Sequence, residues 1–197
     1  MADMADDTAA LLDALDIPQA YVFGISMGGM IALNLAVRHP QKVTKLALGC
    51  TTPGGAGAVW MEEKVLAAMT GPSCGDLRQD CLNNMWFLVA PETEENDPQL
   101  VEKVADVAGE NLQTQLGLMG QFQASTTHDV CGALAEIKMP VLVMHGDADL
   151  LIPFANGRYL AEHIPGAEFE VYPDTGHLFY MERAEAVNQR LREFFGA

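Results

Sequence analysis

Short apolar runs alternate with longer amphipathic stretches along the chain, and the spacing of the apolar positions changes from one to the next. Residues 4–16 carry Leu11, Leu12 and Leu15 at helical spacing behind acids in the first turn, which predicts an amphipathic helix ended by Pro18. "AYVFGIS", residues 20–26, is a short apolar run that predicts a strand. Residues 27–39 are apolar nearly all round, so their helix is expected to be buried, and Pro40 stops it. "VTKLALGC", 43–50, predicts a second strand, and the entirely apolar "PVLVMHG", 140–146, a third. Residues 154–163 read as helix. "AEFEVYP", 167–173, alternates, as a strand at or near a sheet edge does. A last helix gathers Tyr180, Ala184, Val187, Leu191, Phe194 and Phe195 on one face.

Between the second and third strands the texture changes. "TTPGGAG", 51–57, is a cluster of helix and strand breakers. Beyond it, to about residue 133, the chain shows helical patches such as "VWMEEKVLAAM" and "QLVEKVADVAGENLQTQLGLMGQF", with no clear strand. The order strand, helix, strand, helical block, strand, helix, strand, helix predicts an α/β fold: a parallel sheet with helical crossovers, interrupted once.

Composition adds limits. The 197 residues are 49% apolar, enough for one domain or a domain with an insertion. Eleven basic against 27 acidic residues give a net charge of −16. A surface so acidic repels phosphate backbones and anionic lipid, which argues against nucleic-acid and membrane partners. The N-terminus has no basic region followed by an apolar run, and no apolar stretch reaches membrane-spanning length. Cys50, Cys74, Cys81 and Cys131 match no zinc spacing and read as buried free thiols, so a cytoplasmic, reducing location is expected.

The chemistry centres on "GISMGG", 24–29. A serine hydroxyl is a poor nucleophile without a base beside it. In a G-x-S-x-G pattern between an apolar strand and a buried helix, Ser26 sits on a strained turn, with Gly24 and Gly28 allowing strand and helix to approach closely. The helix N-terminus behind it offers N–H groups to a developing oxyanion. Of five histidines, His177 is the candidate base, because it lies on a loop after the fourth strand, where sites form in open parallel sheets. His39 reads as a cap or surface residue, His128 and His163 sit in polar contexts, and His145 reads as a core histidine. "GDADLLIP" offers the acid. Asp149 is favoured over Asp147, because a residue further into the loop reaches across to the next one, and Asp174 reads as a turn residue.

"GISMGG", "HGDADLLIP" and "GHLFYMERAEAV" together resemble the three catalytic blocks of an α/β-hydrolase, with Gly146 to Asp149 following that family's G-x-x-D pattern. The resemblance implies a Ser26–His177–Asp149 triad, the N–H of Met27 as oxyanion donor, and no metal or organic cofactor. It assigns 1–53 and 134–197 to the hydrolase core and 54–133 to a helical cap. The family's strands ahead of the nucleophile's strand, and its early HG loop with a second oxyanion donor, have no counterpart here, so the core is expected to be a truncated one. One lost donor costs roughly 10²–10³ in turnover in a protease. The "TTPGG" loop is a candidate replacement.

Truncation would also leave "AYVFGIS" as a bare apolar edge. The expectation is self-association, pairing with a separate N-terminal piece, or cover from the chain's own first helix. Trp60, Met61, Met69, Met85, Trp86, Phe87, Met119 and Phe122 are the apolar residues from which a pocket over Ser26 could be drawn, and no positive cluster accompanies them. The function implied is hydrolysis of a small-molecule ester, short-chain esters first. The rivals are enol-lactone hydrolysis and a non-catalytic remnant or interaction module.

Overall fold

A parallel sheet runs in the order β1 (Ala20–Ile25), β2 (Val43–Gly49), β3 (Val141–Gly146), β4 (Glu168–Tyr172). Phe23 pairs with Ala47, Ala47 with Leu142, and Val143 with Phe169. The structure is a computed structural model that describes residues 1–110 and 114–196. β3 is buried at every position, as its apolar run requires, while β4 closes one side of the sheet with only Tyr172 fully buried, Val171 exposed and Phe169 and Glu170 half-buried, so the alternation expected from its sequence does not appear in its burial.

Strand alternation sends side chains to two covers. Leu46, Leu48, Val141 and Val143 pack under α2 (Met27–Arg38) and α8 (Ala155–His163), against Leu33, Leu35 and Leu160. Ala47, Leu142 and Met144 face the other way, against Phe179, Val187 and Phe194 of α9 (Phe179–Glu182) and α10 (Ala184–Phe195). The single C-terminal helix expected from the sequence is divided at Arg183, whose φ of −128° and ψ of 42° leave the helical region.

The first helix differs from expectation. α1 (Ala2–Ala14) buries Ala5 and Ala9, whereas Leu11 and Leu15 are each 58% exposed. Alanines four residues apart let α1 lie close on α2, which explains why α2 is apolar all round. Asp6 binds Arg38 and His39, and Asp13 binds Lys42, fixing this seat. The helix therefore does not cover the outer edge of β1. Among the described residues no strand pairs there, and Tyr21 and Phe23 are 54% and 37% exposed.

Between β2 and β3 lie α3 (Glu63–Met69), α4 (Leu77–Asn83), α5 (Pro91–Asn96), α6 (Pro98–Glu110) and α7 (Gln115–Thr126). One isolated antiparallel bridge, Gly54 to Asp129, is recorded across the base of this segment. The long helical patch expected over 99–122 spans α6, part of α7 and residues 111–113, which lie outside the described residues. All four thiols are free. Cys50 is buried as expected, but Cys74 is exposed and Cys81 and Cys131 are half-buried, because they lie on the rim of the helical segment.

Candidate active site

β1 delivers Ser26 to the carboxyl end of the sheet. The Ser26 N–H donates to Gly49 O at 2.9 Å, and the chain then reverses into α2. Ser26 adopts φ 54°, ψ −122°, a region that a residue with a Cβ enters only under constraint. The constraint is local. Its carbonyl accepts from Gly29 N (2.9 Å), Met30 N (3.2 Å) and Thr51 Oγ1 (2.7 Å). A Cβ on Gly24 would sit 2.3 Å from Gly28 O, and one on Gly29 would sit 2.5 Å from Thr51 Cβ. A Cβ on Gly28 would meet nothing within 4 Å. The close approach thus belongs to Gly24 and Gly29, and the role the sequence suggested for Gly28 passes to its neighbour.

The loop after β3 carries Asp149. Its Oδ1 accepts from the amides of Leu151 and Ile152, both at 2.9 Å, so the loop folds around its own carboxylate. Oδ2 accepts from His177 Nδ1 at 2.8 Å. Both side chains are buried. Burial pushes the Asp149 carboxyl up, but the charge of His177 and bonds from His145 and His177 hold it below the usual carboxylate range. His145 is more than a core filler: its Nε2 donates to Ile152 O at 2.8 Å and lies 3.4 Å from Asp149 Oδ2. Cys50, His145 and Asp149 form a buried cluster with potential ligand atoms within 4.8 Å of one another. Asp149 is saturated by its donors, and burial and Asp149 push the Cys50 thiol up, away from the thiolate a metal would need. The cluster fits hydrogen bonding better than metal binding.

The loop bearing His177 is held from two sides. Glu182 Oε1 accepts from Gly176 N at 2.7 Å, while its Oε2 accepts from Ala90 N (3.0 Å) and Thr93 Oγ1 (2.6 Å). Leu178 N donates to Leu88 O at 2.9 Å. Glu182 and His145 were not singled out for these roles by sequence reasoning. Glu182 had one legible cue, an acid one short turn into the helix after the histidine loop. Of the remaining candidates, Asp147 accepts from Asp174 N at 2.8 Å, and Asp174 takes a φ of 52°, so these two build a turn. His39 pairs with Asp6, and His163 stacks on Tyr159. His128 keeps a polar neighbour, with Asn34 Nδ2 3.1 Å from its Nδ1, and is buried.

Asp149 and His177 are therefore brought together. Among the described residues no hydrogen bond joins the Ser26 hydroxyl to His177. Catalytic contacts of this kind are often long before substrate binds. Ser26 and Met27 line a cavity of about 130 Å³ with Met30, Thr52, Trp60, Met61, Met69, Phe122, Ser125, Leu151 and Ile152 among its walls. Of the pocket residues drawn from the sequence, Trp60, Met61, Met69 and Phe122 line it. Met85 and Phe87 are instead buried core, Trp86 stacks edge-on against Phe87, and Met119 is 63% exposed. A wider groove of about 500 Å³ along α6 holds none of the candidate catalytic groups. Within "TTPGG", Gly54 N donates to Thr52 Oγ1 and Gly55 N to His128 O, so neither glycine is free to replace an oxyanion donor.

The family model described as the alpha/beta hydrolase fold matches residues 1–184. The chain belongs to the α/β-hydrolase fold family. It is similar to a poly(3-hydroxyalkanoate) depolymerase of Ectopseudomonas oleovorans, 34% identical over 197 residues, covering 97% of this chain and 66% of the relative. It is similar also to 3-oxoadipate enol-lactonase 2 of Acinetobacter baylyi, 32% identical over 187 residues, 94% of this chain and 67% of that one. Among solved structures, Est816, described as an N-acyl homoserine lactone degrading enzyme, superposes with a TM-score of 0.80 at 29% identity, over 98% of this chain and 74% of that chain. This α/β-hydrolase chain thus spans about two thirds to three quarters of the length of these relatives.

Proposed function

We propose that the chain is a serine hydrolase of small carboxylic esters. The reading is supported by the buried Asp149–His177 pair on the loops after β3 and β4, taken with a strained Ser26, at the end of β1 in the same sheet, that opens on an apolar cavity. With Nδ1–H of His177 donating a hydrogen bond to Asp149, the basic lone pair is on Nε2. Ser26 Oγ attacks the ester carbonyl as His177 takes its proton, and the Met27 N–H, at the positive end of α2, receives the oxyanion. Collapse expels the alcohol, which takes the proton from His177 and leaves an acyl-serine. Water, activated by the same imidazole, adds to the acyl-serine. The acid departs and Ser26 regains its proton. Asp149 keeps the imidazole in its tautomer and stabilises the imidazolium.

Residues 54–133 act in this reading as a cap on a core of 1–53 and 134–197, since Trp60, Met61, Met69 and Phe122 come from that segment to the cavity. A small neutral ester or lactone is the partner, and the exposed side of β1 is a surface for a second copy of the chain. The exposed free thiol of Cys74 suits a reducing, cytoplasmic setting. A second reading, lactone hydrolysis, is favoured by the likeness to an enol-lactonase and to a lactone-degrading enzyme. Turnover of a p-nitrophenyl short-chain ester, measured beside Ser26→Ala, tests the reading. A fluorophosphonate probe should label the wild-type chain and not the variant. Equal rates for both chains would leave only a binding or remnant role.

A further inference from the structure

The walls around Ser26 adapt in shape but carry no positive charge. Met27, Met30, Met61 and Met69 line the cavity, and thioether side chains re-pack around irregular groups at small cost. Among the described residues that line it there is no Lys, Arg or His. Away from Ser26 and Met27, several of its polar wall groups are already committed. Thr52 Oγ1 donates to Asn156 Oδ1 at 2.9 Å, Ser125 Oγ to Gln121 O at 2.9 Å, and Thr126 Oγ1 to Gln123 O at 3.0 Å. The amides of Leu151 and Ile152 turn to Asp149, and that of Val59 to Asn156 Oδ1. An anionic group at the far end of an acyl chain would give up water for walls that are largely apolar and offer no cation to pair with it, in a chain of net charge −16.

We infer that this site selects its acyl group by charge rather than by shape: it accepts uncharged acyl chains, linear or branched, and rejects those ending in a carboxylate. The inference rests on the reading of Ser26 as the nucleophile. It goes further by naming the class of substrate that the cavity admits.

The test compares two esters of equal length on the purified chain, mono-p-nitrophenyl adipate and p-nitrophenyl 6-oxoheptanoate, in which a methyl ketone replaces the carboxylate. Ser26→Ala supplies the background for each. The expected kcat/KM for the ketone exceeds that for the acid by at least about 100-fold. Met69→Lys, which places a cation on the wall, should narrow the gap by about tenfold or more. Linear and branched uncharged acyl groups of equal carbon number should agree within about tenfold. If the two wild-type rates differ less than expected while both need Ser26, charge selection is overturned and the hydrolase reading stands. If neither ester shows Ser26-dependent turnover and the fluorophosphonate leaves Ser26 unlabelled, both readings fall together.

Discussion

The Asp149 carboxylate accepts a hydrogen bond from His177 Nδ1 at 2.8 Å on one oxygen while the Leu151 and Ile152 amides donate to the other at 2.9 Å. An amide in its place would offer an N–H where the imidazole needs an acceptor, and would flip its tautomer. Asp149→Asn is therefore expected to lower kcat by about 10⁴-fold with little change in KM. Steady-state kinetics on a variant with an unchanged circular dichroism spectrum reads this. The depressed carboxyl also has a stability consequence. Asp149 stabilises the fold fully above the ordinary carboxylate value near 4, and that contribution is lost as pH falls below it.

The turn at Ser26 distinguishes three neighbouring glycines. Gly24→Ala and Gly29→Ala drive a Cβ into backbone or into Thr51, and each is expected to cost about 1–3 kcal/mol and to weaken probe labelling of Ser26. Gly28→Ala meets open space in a helix, so it should be neutral or stabilising by up to about 1 kcal/mol. Melting curves of the three variants decide. Equal losses at all three would contradict the packing described.

That contrast also marks how far sequence reading reaches. The succession of strands and helices along the chain and the interior place of β3 were legible, because β3 is apolar throughout and period depends only on local pattern. The pairing of Asp149 with His177 was legible from loop position after parallel strands. Which alanines α1 buries was not, since the leucines that dominate its pattern extend past the end of α2's cover. Nor was the choice between Gly28 and Gly29, which turns on Thr51 arriving from the neighbouring strand. Glu182 and His145 escaped notice as supports of the site because their partners, Gly176 and Ala90, or Ile152 and Asp149, are set by loop shape and not by spacing.

His128 provides a pH test. Its Nδ1 accepts from Asn34 Nδ2 at 3.1 Å and its Nε2 is buried without a partner. Burial lowers its pKa from 6.5 to about 4, so protonation would cost both a hydrogen bond and a desolvated charge. The unfolded chain binds the proton first as pH falls, hence stability should drop between pH 6.5 and about 4 and level off below. At about 1.4 kcal/mol per unit, the drop is about 3 kcal/mol. His128→Gln should flatten this slope while lowering stability at neutral pH. Urea unfolding at several pH values measures it, and a wild-type slope unchanged by the substitution would refute the assignment.

Glu182 joins the His177 loop to the N-terminal end of α5 through three hydrogen bonds, from Gly176 N, Ala90 N and Thr93 Oγ1. Glu182→Ala leaves Gly176 N and Ala90 N without their acceptor, for a cost of about 2 kcal/mol in stability. Because the loop carries the imidazole, kcat should fall more than KM rises. Glu182→Gln, which keeps an acceptor oxygen, should recover part of the loss in both. A change in melting temperature with kcat untouched would confine Glu182 to the scaffold.

The open side of β1 gives the last expectation. An unpaired strand edge presents a row of N–H and C=O groups, and this one carries Tyr21 and Phe23 exposed above it, with Tyr21 stacked on Phe195 at 5.2 Å. α1 is occupied by α2 and so leaves the edge free for another chain. Two copies pairing edge to edge would continue the sheet and bury both aromatic residues, in a self-complementary contact that closes as a dimer. A lysine at position 23 would put a charge where the partner's apolar residues must sit. Sedimentation velocity should therefore show wild-type mass rising with concentration toward the dimer, with Phe23→Lys remaining monomeric over the same range and keeping its probe-labelled Ser26. A wild-type chain that stays monomeric at every concentration tested would mean that Tyr21 and Phe23, stacked and backed by α10, are shielded well enough to leave the edge unpaired.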